Sequence, residues 1–315
     1  MTWLLLAAGA ATFYALQGAW TKRITAEVSR LSATWALFAF SFPLLGGYLA
    51  LRGIPAVEPA FWPALAANLF VLYPLSMYLF VSAMTKGDLG LTYPLLALTP
   101  IMIVPVEWLL LGDTPELQGL AGIVLVIAGV YLLNFRREDA SLLAPFLAVA
   151  RDPGARRGLA VAVLWAVGGT VDRVAVVHSS PAFYGTVITG GLTLLGLVPL
   201  AWTGAFRRPG RSAEGGDQPS GDGDPGGSDE GSLSLLTPRA AGFLLVQGLL
   251  NGLMFVCQME ALRLSLAAYV ITIKRTGTLL SVLLGWAFFQ EGLVRKRLAG
   301  AAVIVAGVAL VALGG

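Results

Sequence analysis

Cysteine and histidine each occur once in these 315 residues. A single thiol, Cys257, cannot close an intrachain disulfide, and no metal framework of Cys or His can be assembled. The lone histidine, His178, stands in "VVHSSP" and reads as a solvated loop residue. With the acids scattered, no convergent set of His, Asp and Glu marks a catalytic centre. No phosphate-binding P-loop is present, and no cofactor motif is found. Charge is scarce as well: 12% of residues are charged, against about a quarter in soluble domains. The net charge of +3 is carried by basic residues between apolar runs and does not point to nucleic acid.

What is plentiful is apolar sequence, at 57% of residues. A bilayer core takes roughly 20 apolar residues per spanning helix. Ten such stretches occur, near 2–20, 32–51, 61–84, 90–112, 117–134, 158–173, 182–203, 239–262, 267–289 and 298–314. Inside hydrocarbon every amide must be satisfied within its helix or a closed barrel, and runs this uniform fit helices rather than alternating strands. The expected fold class is therefore an all-α polytopic membrane protein. Residues 1–20 lack a basic n-region and end in "WTKR" without a clean cleavage site, so they are expected to stay as the first helix.

The chain repeats itself. Residues 83–133 align without a gap on 261–311, at an offset of 178. Among the matches are Trp108/Trp286, Gly122/Gly300, Ala128/Ala306 and Gly129/Gly307, and Asp113 falls opposite Glu291. A weaker match at an offset of 150 pairs "QGAWTKR" (17–23) with "VGGTVDR" (167–173). Five helices per copy is an odd number, so the second copy must lie upside down relative to the first. Inverted repeats of this kind build many secondary transporters, with the site at the repeat interface. The expected organisation is a first five-helix repeat at 1–134, a connecting loop at 135–157 and a second repeat at 158–314. The insertion at about 204–238, with "SAEGGDQPSGDGDPGGSDEG", is expected to be disordered. Its "DGDPGG" lacks the closing Glu of a calcium loop.

The segments "ALRLSLAAYVITIKRTGTLLSVLLGWAFFQEGLVRKRLAGAAVIVAGVAL" and "GLTYPLLALTPIMIVPVEWLLLGDTPELQGLAGIVLVIAGV" resemble the EamA-type drug/metabolite transporter superfamily. In both, a helix, a short acidic turn and a Gly-punctuated helix close a half. The resemblance covers nearly the whole chain outside 204–238. It implies ten helices around a central cavity lined by the fourth and ninth, and a bacterial or archaeal cell (inner) membrane. It also implies both termini inside. The charges point the other way: the odd-numbered loops hold 16 Lys and Arg, and the other loops only Arg52, Arg173 and Arg263. The positive-inside rule then puts both termini outside.

The candidate site begins with Lys274 and Arg275, set inside the ninth apolar stretch. Their repeat partners are Leu96 and Ala97, so the fold does not require charge there. Each cation costs roughly 2.5–3.5 kcal/mol at a helix centre. Lys274 shares a small, polar face with Thr278, Ser281 and Gly285, and Arg275 is expected about 100° away with Leu279 and Val282. Either the cations snorkel or pair with a neighbouring acid, or they form an anion site for carboxylate or phosphate. The adjacent Lys–Arg is similar to the plastid phosphate-translocator branch of the same superfamily. There the pair binds the substrate's phosphate, which implies an anion contact here.

On the eighth stretch Gln247, Asn251, Met254 and Gln258 recur on one face. That face either contacts substrate or binds neighbouring helices, a hydrogen bond of this kind being worth about 0.6 kcal/mol. Tyr73 falls opposite Asn251 in the repeat, with Ser76 on its face, and Tyr14 and Gln17 are candidate liners on the first stretch. Glu107 is asymmetric between the repeats and is a candidate coupling group or charge partner. Asp172–Arg173 aligns with Lys22–Arg23 at a helix end and is expected in water. Glu260 is expected to pair with Arg263. Pro94, Pro100 and Pro105 interrupt the fourth stretch and mark it as a moving element.

The leading reading is a secondary, ion-coupled or exchange transporter of a small anionic or zwitterionic metabolite, working by alternating access. A membrane enzyme acting on lipid-linked or phosphorylated ligands and a non-transporting membrane partner are the alternatives. The partners implied are a small-molecule substrate and membrane lipids, with the oligomeric state open.

Overall fold

The structure is a computed structural model that describes residues 1–24, 30–86, 95–134, 149, 152–202, 238–280 and 295–314. Ser281, Pro94 and residues 204–237 of the expected disordered insertion lie outside the described residues. Among those described, the chain is helical without a strand, in ten successive segments. The first is α1 (Thr2–Ile24). The second is α2 (Arg30–Ala39) with α3 (Ser41–Arg52), parted at Phe40. The third is α4 (Phe61–Ala66), a π-helical turn (Ala67–Leu72) and α5 (Tyr73–Lys86). Then follow α6 (Thr99–Leu111), α7 (Leu117–Asn134), α8 (Pro153–Val177), α9 (Pro181–Trp202), α10 (Pro238–Leu264), α11 (Ala267–Arg275) and α12 (Arg295–Leu313). Among the described residues, five helices, including α8 at 25 residues and Pro181–Leu200 of α9 at 20, are long and apolar enough to cross a membrane.

Local chemistry sets the ends of these helices. Helix α8 starts before its apolar run because the Asp152 carboxylate accepts the Ala155 N–H at 2.6 Å, and Pro153 follows in the first turn. Helix α6 likewise carries Pro100 in its first turn, where no hydrogen bond is lost, and only Pro105 lies inside it. It stops at Gly112, which takes φ +74° and returns its N–H to the Trp108 carbonyl at 2.9 Å. That turn points Asp113 back toward the bundle.

The packing follows the repeat. The first segment (α1) lies on the eighth (α10), and the sixth (α8) lies on the third (α4, α5). The fourth packs on the ninth, the second on the seventh, and α7 runs along α12. This last pair shows the inversion directly. A Cβ added at Gly122 would stand 2.7 Å from the Gly307 carbonyl oxygen, and one at Gly129 2.8 Å from that of Gly300. Rising numbers on one helix meet falling numbers on the other, so the equivalent helices of the two halves are antiparallel. With no hydrophobic drive between helices in lipid, such small-residue contacts let backbones approach and gain dispersion energy. The outer surface is apolar: Leu5, Phe70, Leu109, Leu194 and Val305 are all exposed, as a lipid-facing shell requires.

Candidate functional site

A cavity of about 210 Å³ opens among α1, the third segment, α6, α8, α10 and α11. Lys274 and Arg275 both line it. The ladder of α11 ends at Arg275, and Thr276 turns with its N–H on the Ile273 carbonyl at 3.0 Å. The cations thus occupy the last turn before a break at Thr276, after which residues 277–280 are helical again. The expectation that Arg275 points away is corrected. The end of α11 projects between four helices, so neighbours a hundred degrees apart reach the same hollow. Lys274 Nζ donates to Gln258 Oε1 at 2.6 Å and lies 5.3 Å from the Tyr14 ring centre. Arg275 Nη2 donates to Thr99 Oγ1 at 3.0 Å, and its guanidinium lies 5.3 Å from the Trp165 ring centre. These partners are uncharged, and Nε of Arg275 is buried without an acceptor among the described residues.

Asp172 faces the same cavity. The expectation that it sits in water is overturned: it is 4% exposed. The Tyr184 hydroxyl donates to it at 2.5 Å and Asn68 Nδ2 at 2.8 Å, and the Tyr73 hydroxyl lies 3.5 Å from both of its oxygens. Asn68 comes from the π-helical turn, a departure often found at functional positions.

The next residue, Arg173, is engaged elsewhere. Its Nη1 stands 2.6 Å from Glu107 Oε1 and 2.7 Å from Asp113 Oδ2. Glu107 is fully buried, and its two oxygens also accept the N–H groups of Ala267 (2.7 Å) and Ala268 (3.1 Å), the first turn of α11. A second hollow of about 430 Å³ is lined by Arg173, Asp113, Glu116, Ser265, Tyr269 and Gly314, among others. Consecutive residues of α8 therefore serve two different hollows.

The polar stripe of α10 divides. Gln258 lines the cavity. Gln247 donates to Thr21 Oγ1 at 2.7 Å, and Asn251 accepts from Gln17 Nε2 at 3.2 Å and donates to Ser41 Oγ at 3.0 Å. These three, Gln247, Asn251 and Gln17, tie α10 to α1 and α3 and do not line the cavity. Tyr73 and Ser76 do line it, whereas Thr278 is half-buried and does not. Glu260 meets Tyr48 and Arg52, not Arg263 as expected, because α3 brings both groups beside it.

The family model of the EamA-like transporter family matches residues 1–135 and 154–313. The chain belongs to the EamA-like transporter family. Among curated proteins none matches. A solved structure described as "Crystal structure of protein" is similar at 16% identity and a TM-score of 0.70, covering 98% of this chain and 96% of that one. At that identity the likeness shows the fold. As a member of a transporter family built from two matched halves, this EamA-like chain is a multi-pass membrane protein whose cavity lies between those halves.

Proposed function

We propose that this EamA-like protein is a secondary transporter of a small anionic or zwitterionic metabolite, in the cell (inner) membrane, working by alternating access. Lys274 and Arg275 hold the negative group of the substrate. One observation carries this reading: two adjacent cations face the cavity with uncharged hydrogen-bond partners, neither makes an ion pair among the described residues, and Asp172 across the cavity sets one negative charge against their two. Buried charge is costly unless compensated. A substrate carboxylate or phosphate supplies the missing charge, and the unpaired Arg275 Nε supplies a waiting donor. Snorkelling does not account for the pair, since both side chains turn inward to Gln258 and Thr99.

The test is a thermal-shift screen of the purified protein in detergent against metabolite anions, amino acids and cationic drugs. A ligand that binds the native state raises the melting temperature by mass action. The expected result is an anion or zwitterion that stabilises the wild type and not the Lys274→Leu/Arg275→Ala variant. A ligand that stabilises both proteins equally sinks the assignment of the pair.

A further inference from the structure

Glu107 is the obvious acid for ion coupling, yet its carboxylate is already committed to Arg173 and to two N–H groups of α11. Asp172 differs in each respect. It opens on the cavity, makes no ion pair among the described residues, and is held by two hydroxyls and an amide. We propose that Asp172 is the proton-binding site of the transport cycle, taking up a proton from cavity water when a negative group settles beside Lys274 and Arg275. This rests on the anion reading above and makes the transport a proton–anion symport.

The groups facing Asp172 are Tyr184 from α9, Tyr73 from α5 and, across the cavity, Lys274 and Arg275 from α11. Among the described residues, α6 presents Glu107, which is engaged by Arg173, α10 presents Gln258 to the cavity, and Tyr14 of α1 lines it beside Lys274. In the empty cavity the two cations are the positive charge that supports ionised Asp172. A doubly charged anion such as phosphate or sulfate neutralises both, removes that support and leaves two negative groups in one small hollow. The carboxylate then gains from forming an O–H bond. By linkage, a proton on Asp172 strengthens anion binding by the same factor. The cluster can also use a further donor, because Oδ1 of Asn68 is buried without a partner among the described residues.

Two measurements on the whole protein in lipid test this. Infrared spectra of the ligand-free protein across a pH series should show a carboxylic C=O band that appears on acidification. The band should be absent from Asp172→Asn and shifted but present in Asp172→Glu. Calorimetric titration with sulfate, in buffers of different ionisation heat, should show about one proton taken up per ion by the wild type and none by Asp172→Asn. If no band titrates, or sulfate binds through Lys274 and Arg275 without proton uptake, the proton proposal is overturned and the anion reading stands. If Asp172 titrates and Lys274→Leu/Arg275→Ala leaves ligand binding intact, the anion reading fails and the symport proposal fails with it.

Discussion

The Glu107 carboxylate and the Arg173 guanidinium meet at 2.6 Å, and the same carboxylate closes the open first turn of α11 through Ala267 and Ala268. One fully buried side chain thus serves two purposes. It neutralises a cation at the end of the cavity helix α8, and it satisfies backbone donors that would otherwise be orphaned in the bundle.

Removing that carboxylate should be costly. Glu107→Ala leaves Arg173 with Asp113 alone and strips both N–H groups of their acceptor. Breaking a buried pair from one side typically costs about 3–5 kcal/mol. Glu107→Gln keeps one acceptor and should lose less. Denaturant titration in mixed micelles would rank them wild type, Gln, Ala. Equal stability of all three would show that the triad contributes nothing to the fold.

The seam between α7 and α12 makes a steric prediction. A Cβ at Gly122 meets backbone, the Gly307 carbonyl oxygen and the Val311 nitrogen, both at 2.7 Å. Backbone cannot rotate away as a side chain can. Gly122→Ala should therefore cost roughly 1–3 kcal/mol, and Gly122→Leu should part the helices. Gly46, with nothing within 4 Å of its Cβ position, is the control. There alanine should be neutral or stabilising by up to about 1 kcal/mol. Melting temperatures of the two alanine variants decide it, and a stable Gly122→Ala would contradict the packing.

Much of this fold can be read from sequence because a membrane leaves few choices. Long apolar runs can only be helices, and the pairings Gly122/Gly300 and Gly129/Gly307 at one offset already announce two equivalent seam helices. The antiparallel contact of those glycines is the same fact in space. The Lys274–Arg275 pair is equally visible, as charge where the partner repeat has Leu96 and Ala97. Asp172 is not. Hydropathy ends the sixth run at residue 173, and a charged pair at the end of a run reads as solvated. Arg173 is kept inside by Glu107 and Asp113, 66 and 60 residues before it, and Asp172 by Asn68, 104 residues before it, and by Tyr184 on the next helix. Asn68, a lone neutral amide in an apolar run, leaves no pattern either. The stripe on α10 is real, but periodicity cannot say that Gln247 and Asn251 meet Thr21 and Ser41 while Gln258 meets the cavity.

Arg275 should resist replacement even by lysine. Its planar head reaches Thr99 with one nitrogen while lying over Trp165. A lysine keeps the charge but has neither the fork nor the flat face. Arg275→Lys is expected to weaken binding of the anion found in the screen by roughly tenfold, or about 1.4 kcal/mol. Tyr14→Phe keeps the ring face under Lys274 and should change affinity little. Isothermal titration of the two variants checks this. An Arg275→Lys protein that binds as well as wild type would mean that only net charge matters.

Helix α11 is tied to α6 at both ends, since Arg275 reaches Thr99 at the start of α6 and Glu107 near its end holds the start of α11. The two contacts are about 12 Å apart along a nine-residue helix. A substrate that draws Arg275 from Thr99 releases one tie and leaves α6, with Pro105 inside it, free to tilt about the other. The fourth segment is therefore the expected moving element. Spin labels at Leu110 on α6 and Leu264 on α10, both exposed, report that tilt without touching the cavity. Ligand should change the distance distribution. Glu107→Gln, which weakens the other tie, should broaden it even without ligand. A distribution that neither ligand nor Glu107→Gln alters would mean that α6 and α11 move as one body, and the opening would have to be sought between α1 and α10 instead.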